Sequence, residues 1–186
     1  MKSKQLYLAT ALLISAPCLA AAGPLITPDP FGGAVAGPPG SSVGWGFTVQ
    51  SDASDWVAFV ASFPLFESNP SVGLYTDFIG AHGGPVNFAL PPGAPDWIES
   101  FRPAAQTGLG SYTIAPSALP GAVDSGTIRI LYQLYTGDPN TCGSCAAGTG
   151  SLDVPFQVTV NAAPEPGTWL LLAMGIGWLA RRGLTS

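Results

Sequence analysis

Thr127-Ile128-Arg129-Ile130-Leu131-Tyr132-Gln133-Leu134-Tyr135 is the stretch that decides the fold class of this chain. Ile128, Ile130, Tyr132 and Leu134 fall at every second position, and a period of two places them on one face of a strand. Phe156, Val158 and Val160 repeat the pattern against Gln157 and Thr159. Working outward, β-type segments are expected at 43–49, 56–63, 72–79, 86–90, 111–114, 127–135 and 154–160. No window among them carries the spacing of an amphipathic helix. Gly, Pro, Asn and Asp fall between the segments, where turns need them. The expectation is an all-β chain, an antiparallel β-sandwich of Ig-like or jelly-roll type, with a small barrel as the alternative. Pro155 suits an edge or a strand entrance.

Composition bounds the rest. Only 9% of the residues are charged, and 24 Gly and 19 Pro among 186 residues could suggest disorder. The aromatic and β-branched residues that recur through the middle argue instead for a packed core. Four of the six basic residues, Lys2, Lys4, Arg181 and Arg182, lie at the chain ends. Residues 23–163 therefore keep two arginines, Arg102 and Arg129, against ten acidic side chains, a net charge of −8. Nucleic acid is excluded as an expected partner, because phosphate pairing needs clustered Lys and Arg.

The two ends read as delivery signals. Lys2 and Lys4 precede an apolar stretch from Leu6 to Ile14, and Ala20-Ala21-Ala22 follows Pro17, which is the three-part plan of a secretory signal peptide over 1–22. Such a segment engages the translocon and signal peptidase. Cys18 follows Pro17, and Ser15 stands where a lipoprotein signal would carry a branched apolar residue, so Cys18 is expected to leave with the signal. At the other end, Pro164-Glu165-Pro166 precedes an apolar run over 167–180 and then Arg181-Arg182. That run of 14 residues would rise about 21 Å as a helix, against a hydrocarbon core of roughly 30 Å. It has no polar face, Trp169 and Trp178 stand near its ends, and the arginine pair can snorkel. A short transmembrane helix, cytoplasmic at its C-terminus, is the expectation.

Residues 164–186 resemble the PEP-CTERM sorting signal of Gram-negative bacteria. The resemblance implies that Pro164, Glu165, Pro166, Arg181 and Arg182 are recognition elements for exosortase, a membrane-embedded cysteine protease. It also implies transient anchoring in the inner membrane facing the periplasm, followed by transfer to the cell surface or to exopolysaccharide. Gly44-Trp45-Gly46-Phe47-Thr48, Tyr75-Thr76-Asp77-Phe78 and Thr136-Gly137-Asp138-Pro139-Asn140 are similar to stretches of other exported proteins of this kind. The organisation expected is a signal peptide over 1–22, a Gly/Pro-rich lead-in over 23–42, a β-sandwich over 43–160, a tether over 161–163 and the sorting signal over 164–186.

Candidate chemistry in the middle is sparse. Gly40-Ser41-Ser42-Val43-Gly44 matches a nucleophile-elbow pattern, but a Pro/Gly loop precedes Ser42 and a β segment follows, the reverse of the strand-to-helix turn that an elbow needs. His82, in a Gly-rich turn, is the chain's one histidine and lacks further ligands for a metal. Cys142-Gly143-Ser144-Cys145 lies in a loop instead of at a helix start, so a disulfide that pinches the loop is expected over thioredoxin-like redox chemistry. Closing so small a ring is worth at most about 2 kcal/mol on the chain-entropy model. Asp52, Asp55, Asp77, Asp124, Asp138 and Asp153 supply oxygens that calcium prefers, but in no recognised calcium-loop spacing, and most read as solvated turn residues. Asp96 and Glu99 are a carboxylate pair in a Pro-rich loop. Trp56 and Trp97 are candidate glycan contacts, with core packing as the competing reading. No cofactor and no metal are expected, and the chain reads as a non-enzymatic exported protein, with an adhesive or carbohydrate-binding module and a small secreted hydrolase as alternatives.

Overall fold

The computed structural model describes residues 23–51, 54–82 and 89–162, with the side chain of His82 left aside. Ten strands follow one another: β1 (Leu25–Asp29), β2 (Ala34–Gly37), β3 (Ser42–Gln50), β4 (Trp56–Glu67), β5 (Gly73–Asp77), β6 (Ala89–Leu90), β7 (Trp97–Glu99), β8 (Gly110–Ile114), β9 (Val123–Tyr135) and β10 (Ala146–Val160). Three single-turn helices, Phe31–Gly33, Pro70–Val72 and Gly80–His82, connect some of them. The first sheet runs β1-β3-β8-β5 with β7 also against β3, and the second runs β2-β10-β9-β4-β6. The two sheets share one apolar core, so the described residues form an all-β sandwich.

The long β9–β10 hairpin carries the second sheet, paired from Tyr135 and Ala146 to Val123 and Thr159. Ile128 and Ile130 of β9 and Phe156, Val158 and Val160 of β10 are buried, as period-two patterning requires. From the first sheet, Trp45, Phe47, Val49, Tyr112 and Ile114 meet them. Phe156 is the hinge of that contact, with its ring 5.9 Å from Trp45, edge on, and 6.4 Å from Tyr112. Each such fully buried side chain contributes about 1.5–3 kcal/mol of transfer free energy. The Trp45 indole donates to Gly33 O at 2.7 Å, so the buried N–H is satisfied.

β3 shows why Gly44-Trp45-Gly46-Phe47 alternates as it does. The aromatics point into the core, while the glycines face outward beneath the 99–109 loop. A Cβ on Gly44 would collide with the Phe101 ring, and one on Gly46 would meet Glu99 O. Phe101 in turn stacks on Phe78 with ring centroids 6.1 Å apart.

Three expectations are corrected. Residues 23–42 are not a lead-in outside the fold, because β1 lies along β3 in the first sheet and β2 along β10 in the second. The sandwich is not wholly antiparallel, since β2 and β10 run parallel. Pro155 takes the edge setting of the two that its residue type suits: β10 begins nine residues earlier, at Ala146, and β2 pairs with it only from Gln157 onward. A proline's missing N–H is harmless on that open flank. Of the supposed tether, Asn161 donates its N–H to Gly37 O at 2.8 Å, so it is fastened to the sandwich. Of the strand expected at 86–90, Ala89–Leu90 is described, and 83–88 lies outside the described residues. Among the described residues no helix is long and apolar enough to cross a membrane; the signal peptide, the sorting motif and the apolar run over 167–180 lie outside them.

Candidate functional site

Cys142 and Cys145 form a disulfide, with Cα atoms 5.8 Å apart, at the turn between β9 and β10. Asp138 organises this turn: its backbone carbonyl accepts from Cys142 N at 2.9 Å, and its carboxylate accepts from Asn140 N at 2.9 Å.

The two tryptophans proposed for glycan contact occupy different settings. Trp97 pairs with Val49 across β7 and β3, and its ring meets Phe47 edge on at 6.3 Å, packed against the core. Trp56 pairs with Tyr135 across β4 and β9, on the face opposite the buried Val57. Residues directly opposite in an antiparallel ladder share a face, so Trp56 and Tyr135 stand side by side on the outside of the second sheet. The Tyr135 hydroxyl donates to Gln133 Oε1 at 2.9 Å. Next to them lies a groove of about 500 Å³, lined among others by Val60, Leu131, Gln133, Thr149, Gly150 and Ser151. The same outer face carries a bidentate ion pair, Arg129 Nε and Nη2 donating to Asp153 at 2.8 and 2.7 Å. That bonding pulls the Asp153 carboxyl below, and pushes the Arg129 guanidinium above, the usual range for each. A smaller cavity of about 300 Å³ sits by Asn69, Ser71 and Leu119.

Two polar clusters are buried between the sheets. In the first, bulges in β4 after Phe59 and after Pro64 shift its alternation, and Ser62 between them faces inward, 3% exposed. Ser62 has one hydrogen to give, and the Asp77 carboxylate at 2.6 Å is the stronger acceptor. The Tyr75 hydroxyl then donates to Ser62 Oγ at 2.7 Å or to Leu109 O at 3.1 Å. Asp77 also accepts from Ile79 N and Gly80 N at 2.8 and 2.9 Å. In the second cluster, Asp124 is fully buried on β9 and accepts from the Tyr112 hydroxyl at 2.8 Å, Asn69 N at 2.8 Å and the Ser68 hydroxyl at 3.3 Å. Burial pushes both phenols, Tyr75 and Tyr112, well above the ordinary tyrosine range. Desolvation, with repulsion from Asp124, also raises the Glu67 carboxyl. Each cluster ties one sheet to the other, the first through Ser62 of β4 with Tyr75 and Asp77 of β5, the second through Tyr112 of β8 with Asp124 of β9, and of their residues Asn69 also borders the smaller cavity. Every buried side-chain polar atom among the described residues has a partner.

Asp124 therefore corrects the reading of a solvated turn aspartate. It lies four residues before Ile128, in phase with the inward set of β9, and that phase was the signal that could have placed it. Ser42 opens β3, with its hydroxyl 3.2 Å from that of Thr113 across the strand pair. Asp96 accepts from Gln50 Nε2 at 3.4 Å, whereas Glu99 lies in β7. Among the described residues no three His, Cys, Asp or Glu side chains gather as a metal site. No protein-family model matches the sequence, and no curated protein matches it.

Proposed function

We propose that this chain is an exported, non-enzymatic protein of the cell surface or extracellular matrix, built on a β-sandwich of Ig-like or jelly-roll kind. On this reading the signal peptide is removed after Ala22 by signal peptidase. The tail then holds the domain in the inner membrane, facing the periplasm, until an exosortase-like protease acts on it. The observation that carries the reading is the run Pro164-Glu165-Pro166, an unbroken apolar segment and Arg181-Arg182, in a chain that begins with an export signal. The disulfide supports it, since such bonds persist in oxidising compartments. The acidic domain, with no lysine from 23 to 163, speaks against nucleic acid and anionic surfaces as partners. Glu165→Ala and deletion of 164–186 in the native host test it. Both variants should change membrane retention and the intact mass of the mature chain; fractionation and mass identical to wild type would remove the sorting reading.

A second reading is favoured by one feature, the outward Trp56–Tyr135 pair, whose Tyr135 hydroxyl reaches Gln133 at the wall of a mainly apolar groove that also carries the Thr149 and Ser151 side chains. Sugars stack on such rings and bond to such groups, and an uncharged exopolysaccharide is the partner that suits an acidic domain. Trp56→Ala should abolish retention on immobilised neutral polysaccharide, and unchanged retention would dismiss that face.

A further inference from the structure

The two sulfurs of the β9–β10 turn sit in unequal surroundings. Cys145 is 8% exposed, whereas Cys142 is half-buried beside the exposed Gly143 and Ser144. Gly137 lies against the bridge, where a methyl group would stand 4.0 Å from each sulfur, so the absence of a side chain there leaves a flank uncovered. The turn is also held by bonds other than the disulfide. Thr136 N donates to Cys145 O and Cys142 N to Asp138 O, both at 2.9 Å, and Thr141 N donates to Asp138 O at 3.1 Å. Cys145 Sγ lies 3.5 Å from Gly137 O and 3.8 Å from Cys142 O. A disulfide sulfur has no hydrogen to give, so these contacts become hydrogen bonds only when Cys145 carries a proton. Acceptors for the reduced thiol are already in place.

We propose that Cys142–Cys145 is a reversible exchange site for small thiols of the glutathione class, entered at Cys142. An incoming thiolate attacks Cys142 Sγ and the sulfur–sulfur bond breaks. Its electron pair leaves on Cys145 Sγ, which takes up a proton and donates to Gly137 O. A second thiolate attacks the incoming sulfur of the mixed disulfide, forming the small-molecule disulfide and releasing the Cys142 thiolate to be protonated. Two small thiols are oxidised, and the protein bridge takes up two electrons and two protons. The turn keeps its shape, because its backbone bonds do not depend on the bridge.

Native full-length chain equilibrated with reduced glutathione, then alkylated and mapped by peptide mass, tests this; the map reads the 142–145 peptide alone, so Cys18 does not enter. Both cysteines should become alkylated without denaturant, with the β-sheet circular dichroism retained and the thermal midpoint within about 5 °C of the oxidised form. With oxidised glutathione as the probe, the free Cys142 thiolate of Cys145→Ser attacks the small disulfide and releases one glutathione thiol. It should form this mixed disulfide at least about tenfold faster than Cys142→Ser forms it at Cys145. Gly137→Leu should slow the first step while leaving the fold intact. A bridge that resists glutathione until the chain unfolds, a reduced chain that loses its β signal, or equal rates of mixed-disulfide formation would each overturn the proposal.

Discussion

Asp124 is the one acidic side chain fully buried among the described residues, and three donors converge on it. Removing one of them leaves a buried charge short of a partner, which costs more than the bond itself was worth. Tyr112→Phe should therefore lower the unfolding free energy by about 1–3 kcal/mol, read by urea denaturation, and a loss under about 0.5 kcal/mol would show that water replaces the phenol. Glu67 acts in the opposite sense. Its folded-state pKa is raised, so the folded chain holds that proton more tightly than the unfolded chain does. Stability from this group is present below the ordinary glutamate range and falls as the pH rises through the raised value. Glu67→Gln should accordingly raise the thermal midpoint at pH 7 and leave it unchanged in acid; a midpoint gain that is equal at both pH values would mean the effect is not ionisation. The exposed Asp153, depressed by Arg129, titrates the other way, losing its small contribution as the pH falls. Neither carboxylate pairing was legible from residue types alone, because each depends on a partner more than 20 residues away in sequence or on a neighbouring strand.

At the scale of elements, strands with strong alternation were legible and short ones were not. β3, β8, β9 and the end of β10 lie close to where periodicity places them, since each owes its inward face to its own sequence. β1, β2 and β7 run through Pro- and Gly-bearing stretches with three to five residues apiece. Their pairing is dictated by β3 and β10, the strands they join, and tertiary context overrides weak local propensity. If residues 23–37 are integral, a chain starting at Pro38 should lose cooperative thermal unfolding. A melt matching that of the longer chain would return the segment to the role of a linker. Trp97 and Trp56 separate in the same way. Trp97→Ala should cost about 2–4 kcal/mol, as removal of a ring packed against the core does, whereas Trp56→Ala should stay under about 1 kcal/mol. A large loss at Trp56, measured by chemical denaturation, would place it in the structural framework and remove it from the binding face. The sequence offered both indoles as equals; only the register of β4 and β7 tells them apart.

On the scale of the whole molecule, fold class and charge were legible because both are sums over many residues. The sharing of strands between the sheets was not, since β2 crosses to the second sheet through the turn at Phe31–Gly33, where a Cβ on Gly33 would collide with Pro155 O. Only the closed sandwich reveals that contact. The order of strands has a bearing on what happens at the carboxyl end. Over Gln157–Thr159 the final strand is gripped on both sides, by β9 and by β2, and its last fastening is Asn161 to Gly37. A scissile bond anywhere downstream of Ala162 could be cut without severing any described ladder bond. Traction on the severable end would strain the flanking rows together instead of peeling them one rung at a time. On the proposed sorting reading, removal of the tail would leave every described strand pairing in place.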